Sequence, residues 1–149
     1  MARIRGGEVF ERRLREIATA VSVPATVRVG FLENARYPGG KLVAMIAAIH
    51  NYGAPRAGIP PRPFFSNMIA AKQGEWPRAI ADLLVANDYD AVRALDIAGA
   101  AIAGQLRQSI IDTNAPPLAR STIRRKGFSK PLIDTSHMIN SIDHEVVTT

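Results

Sequence analysis

Residues 42–65, LVAMIAAIHNYGAPRAGIPPRPFF, decide how the rest of the chain is arranged. The stretch opens on an apolar run in which Leu42, Met45, Ile46 and Ile49 recur at helical spacing, so a helix over Lys41–Tyr52 with that buried stripe is predicted. Ala44, Ala47 and Ala48 leave little bulk elsewhere on this helix and permit close packing on its own sheet or on another subunit. Tyr52-Gly53-Ala54-Pro55 predicts the turn that stops it. Ile59-Pro60-Pro61-Arg62-Pro63-Phe64-Phe65 follows. Each proline fixes its own φ and pushes the residue before it toward extended geometry. Pro60–Pro63 is therefore expected to be a stiff polyproline-like strut, with Phe64 and Phe65 anchoring the next helix at a fixed angle.

Upstream, Glu8–Val21 reads as an amphipathic helix with Phe10, Leu14, Ile17 and Val21 on one stripe and Arg12, Arg13, Arg15 and Glu16 off it. Ser22–Pro24 breaks that helix. Ala25–Phe31 alternates and is rich in β-branched residues, which predicts a strand with Val27, Val29 and Phe31 on one face. Asn34–Gly40 reads as an exposed loop.

Downstream, Phe64–Gln73 reads as a short helix with Met68 and Ile69 toward the core. Gly74 can end it, and Trp76-Pro77 can either restart a helix or kink a continuous one. Asn87–Asp90 predicts the start of a long helix running to about Ile111, with Leu95, Gly99, Ile102, Leu106 and Ile110 on one stripe. Gly99, Ala103 and Gly104 make sense there if another element packs closely against them. From Pro116 to Ile133 there is no acid, while Arg120, Arg124, Arg125, Lys126 and Lys130 accumulate, so a basic flexible loop over about 115–130 is expected. Asp134 or Thr135 can cap a short helix with Met138, Ile139 and Ile142 on one face, and a second strand is expected over Asp143–Thr149.

With 149 residues, 47% of them hydrophobic and 21% charged, the chain reads as one soluble domain with a real core. It has no cysteine, which excludes disulfides and thiolate metal sites. The basic start, Met1–Gly7, has no apolar run behind it, and no apolar run approaches the ~20 residues of a membrane span. The expected location is the cytoplasm. The formal charge of +6 suits a polyanion or an acidic protein surface, although no nucleic-acid-binding module accompanies it.

Catalysis has little to stand on. Asp134, Ser136 and His137 are too close in sequence for a Ser–His–Asp site, which is assembled from separated elements. The three histidines, His50, His137 and His144, lack zinc-type spacing, and Gly39-Gly40-Lys41 lacks the rest of a phosphate-binding loop. The chain is not expected to be an enzyme, and no cofactor or metal is expected.

Two separated regions carry a resemblance. The first is the apolar helix ending in an aromatic-Gly pair, then a loop, then Pro60-Pro61-Arg62-Pro63-Phe64. The second is Pro116-Pro117-Leu118, Thr122, the basic Arg124–Lys126, Pro131-Leu132-Ile133-Asp134-Thr135 and Ser141-Ile142. In this order they resemble the tail-completion and head–tail joining proteins of tailed bacteriophages, also called virion morphogenesis or minor tail proteins. The resemblance spans Val27–Ile142. Asn51 stands where that family usually has an acid, and Ser136 where it usually has glycine.

The resemblance implies a structural protein of the virion neck, assembled in the host cytoplasm, that completes the tail or joins it to the DNA-filled head. It implies a ring, with six copies as the expected count. Its neighbours would be the head–tail connector and the tail terminator or tail-tube proteins, with unspecific contact to DNA in the channel and no membrane. The expected fold is α+β, a small antiparallel sheet covered by several helices with extended loops or arms. Candidate partner contacts are Arg36, Tyr37, Lys41, Arg62, Phe64, Arg120, Arg124, Arg125, Lys126 and Lys130. The alternative is a free basic nucleic-acid-binding protein.

Overall fold

The sheet and two of the helices pack on the longest helix among the described residues. In the computed structural model, which describes residues 6–127 and 136–149, α5 runs over Ala91–Asp112. Its start follows from a cap: Asp90 accepts a hydrogen bond from the Arg93 amide, satisfying one of the donors that a helix start leaves open. Ahead of it come α1 (Gly7–Ala20), β1 (Ala25–Phe31), α2 (Val43–Tyr52), α3 (Phe64–Lys72) and α4 (Trp76–Ala86). Behind it come α6 (Arg120–Lys126), α7 (His137–Asn140) and β2 (Ile142–Thr148). The strands pair antiparallel from Ala25 opposite Thr148 to Phe31 opposite Ile142. The fold is α+β: a two-stranded sheet lies against α5, and α3 and α4 pack on α5 as well.

The α5 face that meets these neighbours is built from small residues at its start and large ones at its end. Ala94, Ala98, Gly99 and Ala103 are buried, then Leu106 and Ile110. Leu95 and Ile102 of the predicted stripe are only half-buried. The taper lets the sheet approach closely at Gly99, where an added Cβ would lie 2.6 Å from the His144 ring and 2.7 Å from the Val27 methyl. Gly104 differs from the expectation: it is exposed, with nothing within 4 Å of an added Cβ. Opposite signs are therefore expected for two identical changes. Gly99→Ala overpacks by about 3 kcal/mol against about 1 gained in helix propensity, a net loss of about 2 kcal/mol. Gly104→Ala takes only the gain of about 1 kcal/mol. Urea unfolding midpoints check this; shifts of one sign would refute the packing at Gly99.

The main core gathers Val43 and Ala47 of α2, Phe64 and Met68 of α3, Ala103, Leu106 and Ile110 of α5, Met138 of α7 and Ile142 of β2. The stripe of α2 is thus rotated from the expected one. Val43, Ala47 and Asn51 are buried, Ile46 and Ile49 are half-buried, and Met45 is 47% exposed. A helix apolar nearly all round has no single obvious inner face, and here the small residues won the close approach. Residues 76–86 form a separate helix with Pro77 in its first turn, so the chain breaks at 73–75 instead of kinking. The acid-free stretch is not loop throughout, because Arg120–Lys126 forms α6 before Gly127 closes it at φ 79°. Asp134 and Thr135, the expected caps, lie outside the described residues; Ser136 occupies the cap position of α7.

Candidate interaction surface

The segment 51–66 is a set of interlocked turns. Gly53 ends α2 at φ 77°, ψ 170°. Ala54 and Ile59 then exchange backbone hydrogen bonds of 2.9 and 3.1 Å around a short 3-10 turn, Pro55–Ala57. The Arg62 amide donates to the His50 carbonyl at 2.7 Å, so the proline segment runs back alongside the end of α2. At Pro63 it departs from polyproline geometry: ψ is 54°, and the Phe64 amide donates to the Arg62 carbonyl at 2.7 Å, an inverse γ-turn. The strut is therefore bent at its end, and that bend turns Phe64 inward to a fully buried position.

Asn51 secures the junction. Its Oδ1 accepts from the Phe65 amide at 3.0 Å and the Ser66 amide at 3.2 Å, and its Nδ2 donates to Ser66 Oγ at 2.8 Å. Asn51 is 4% exposed. One side chain at the end of α2 thus caps the start of α3, where the sequence offers no local capping residue. Ser109 of α5 adds a hydrogen bond to the Phe64 carbonyl at 2.6 Å.

Arg62 joins this junction to the far end of α5. Its Nε donates to the Pro116 carbonyl at 2.9 Å and a terminal nitrogen donates to the Pro117 carbonyl at 3.3 Å. Burial lowers its pKa from the ordinary value, yet a guanidinium stays charged. Pro116 and Pro117 lie outside the helices and strands, and their carbonyls accept this charge-assisted pair. Two of the ten candidate contacts are corrected here. Arg62 is 4% exposed and Phe64 fully buried, so both hold the chain together and neither is offered to a partner.

The remaining candidates divide. Tyr37 is half-buried, its ring 4.8 Å from that of His137. Arg36 is exposed, with Nη1 donating to the Gly40 carbonyl at 3.0 Å, while its own carbonyl accepts from His137 Nε2 at 2.7 Å. Lys41 is exposed beside them. The 36–42 loop is therefore pinned to α7 and presents Arg36 and Lys41 outward. Arg120, Arg124 and Arg125 are exposed on α6, and Lys126 is its last residue. Lys130 lies outside the described residues. The structure does not bring the two basic groups into one cluster by any described contact.

Two surfaces lie outside the ten candidate contacts. One is an open groove of about 310 Å³ between the end of β1 and α2, lined by Val29, Phe31, Ala44, Ala48, Tyr52 and Phe65 among others. The other is the apolar stripe of α1, which remains exposed. Among the described residues, no three His, Asp or Glu side chains gather as a metal site, and no helix is long and apolar enough to cross a membrane. Compared with protein families, curated proteins and solved structures, the chain finds no match.

Proposed function

We propose that this chain is a structural protein of the neck of a tailed bacteriophage, completing the tail or joining it to the DNA-filled head as one subunit of a ring, six copies being the expected count. The observation that carries the reading is the Arg62 contact. The two halves of the phage-like signature, 60–65 and 116–118, stand 54 and 55 residues apart at the bonded positions, and Arg62 ties one to the other. A pair of motifs with a common structural job is a more specific resemblance than two unrelated short matches.

The mechanism is surface complementarity. The interlocked turns of 51–66 hold a rigid frame, and the exposed basic groups at 36–41 and on α6 meet the connector below the head, the tail terminator or tail-tube protein, or the DNA that passes through. The test is electron microscopy of particles from a phage or prophage with this gene interrupted. Filled heads beside separate tails are the expected result, with abnormal tail tops placing the chain on the tail side. Intact infectious virions would sink the reading.

A second reading, a free nucleic-acid-binding protein, is favoured by the acid-free α6 with its three exposed arginines. It requires the isolated chain to bind duplex or single strands with an affinity that falls steeply as salt rises. No binding at low salt would remove it.

A further inference from the structure

We propose that the outer arc of α6 is a contact for the phosphate backbone of duplex DNA, made by Arg120, Arg124 and Arg125 without regard to base sequence. The inference deepens the DNA contact named in both readings above and rests on it for its biological setting, while the binding itself is a property of the isolated chain.

The first observation is where the charge lies. Five of the chain's 19 basic residues and none of its 13 acids fall in 116–133, so this stretch carries five of the six net positive charges. The rest of the chain is within one charge of neutral. A surplus that only kept the chain soluble would need no such concentration, whereas a dense patch of one sign attracts a polyanion.

The second observation is how α6 is turned. At about 100° per residue, Arg120, Ser121, Arg124 and Arg125 share an arc of about 140°, with Thr122 and Ile123 on the other side. Burial follows that division: the first four are exposed, and Thr122 and Ile123 are half-buried. The outer arc thus carries three guanidinium groups and no carboxylate. Arg13, Arg15 and Arg28 each have a carboxylate within 3.8 Å, but among the described residues Arg120, Arg124 and Arg125 have none. Helix electrostatics does not account for the arc. Arg124 and Arg125 suit the negative end of the helix, yet Arg120, its first residue, opposes the positive end.

The third observation selects duplex phosphate. Arginine forks pair bidentately with phosphate oxygens. No aromatic side chain stands on the arc, so it lacks the stacking platforms that hold single strands. From Arg120 to Arg125 the helix rises about 7.5 Å, and a duplex with one charge per about 1.7 Å presents about four phosphates over that length. Each guanidinium therefore has one to meet. The arc is also presented from a fixed base, because Arg62 holds the Pro116 and Pro117 carbonyls just ahead of α6 at 2.9 and 3.3 Å.

Fluorescence anisotropy of a labelled mixed-sequence duplex, titrated with the full chain across a salt series, tests the contact. Three neutralised phosphates give a slope of log K against log salt of about −2.7, a fall of about 40-fold between about 50 and 200 mM salt. Arg124→Gln with Arg125→Gln should cut the slope to about −0.9. Arg12→Gln with Arg78→Gln removes the same two charges from exposed positions on α1 and α4 and should leave the slope unchanged. All four arginines are exposed, so urea midpoints should match the parent in both double variants. A second duplex of unrelated sequence should bind equally. An equal loss of slope in the two double variants, or tighter binding to a single strand of the same length, would overturn the proposal and leave the free nucleic-acid reading standing. No binding at low salt would overturn both and leave an acidic protein surface as the partner of α6. Filled heads beside separate tails after gene interruption would then keep the neck reading without this contact.

Discussion

Gly53→Ala is expected to be the most damaging one-carbon change in the chain, lowering stability by about 3–5 kcal/mol. Two independent terms act together. The backbone at Gly53 has φ 77° and ψ 170°, a combination that residues with a Cβ hardly adopt and that costs about 1–3 kcal/mol when imposed. The new Cβ would also lie 2.8 Å from the backbone nitrogen of Pro61 and 3.0 Å from the Ile59 carbonyl oxygen. Those are main-chain atoms with no rotamer to retreat into, so the proline segment itself would have to move, and overpacking of this kind costs about 1–3 kcal/mol. Against a typical total of about 5–15 kcal/mol, the loss is large enough to show as a lower urea midpoint and a fall of many degrees in Tm. A midpoint within experimental scatter of the parent would mean that the segment is not seated against the end of α2 as described.

That position also shows what was legible in the sequence. An aromatic-Gly-Ala-Pro run announces a turn by local chemistry, and the turn is there. The strand Ala25–Phe31 was readable because alternation is local, and the helix 91–112 because its acidic start and its stripe are local too. Closer packing at Gly99 than a side chain permits could be inferred from the cost of a glycine in a helix. Gly104 carries the same residue with no neighbour, so composition alone could not tell the two apart. The inner face of α2 was misread for a related reason: when Leu42, Met45, Ile46 and Ile49 compete with Val43 and Ala47, tertiary fit decides, and periodicity cannot rank them.

The candidate surface was less legible, because charge in a sequence reads as exposure. Arg62 contradicts that habit: its partners are two proline carbonyls 54 and 55 residues away, which no window of sequence brings together. Phe64 reads from sequence as a contact residue, yet the turn at Pro63 carries it into the core. The converse error is α1, whose amphipathic spacing reads as a helix covering a core and whose apolar stripe instead stays open. Hydrophobic spacing shows that a face must be covered. It does not show by what.

Asn51 gives the second large effect. Asn51→Ala is expected to lower stability by about 2–4 kcal/mol, because it strips the acceptor from two buried amides, Phe65 and Ser66, and the donor from Ser66 Oγ. Loss of a cap alone costs about 1 kcal/mol; the excess comes from leaving the α3 start desolvated and unpaired. Asn51→Asp separates shape from hydrogen bonding. An aspartate has the same outline, its oxygens can accept both amides, and Ser66 can turn its hydroxyl to donate, so three donors converge on the charge at a helix N-terminus. The prediction is that those bonds outweigh the burial of the site and lower the folded pKa from the ordinary aspartate value of about 3.9. The sign then follows. A depressed folded pKa gives stability that is fully present above the unfolded pKa and is lost as pH falls through the folded one. The Asp variant should therefore stay near the parent at neutral pH, unlike the Ala variant, and fall away from it only below about pH 4. Urea titrations of the three proteins at neutral and acidic pH make the comparison. A variant as unstable as Asn51→Ala at neutral pH would show that desolvation outweighs the converging donors. A variant that stays with the parent at neutral pH and falls away below about pH 4 would show that the same three donors hold either side chain at this position.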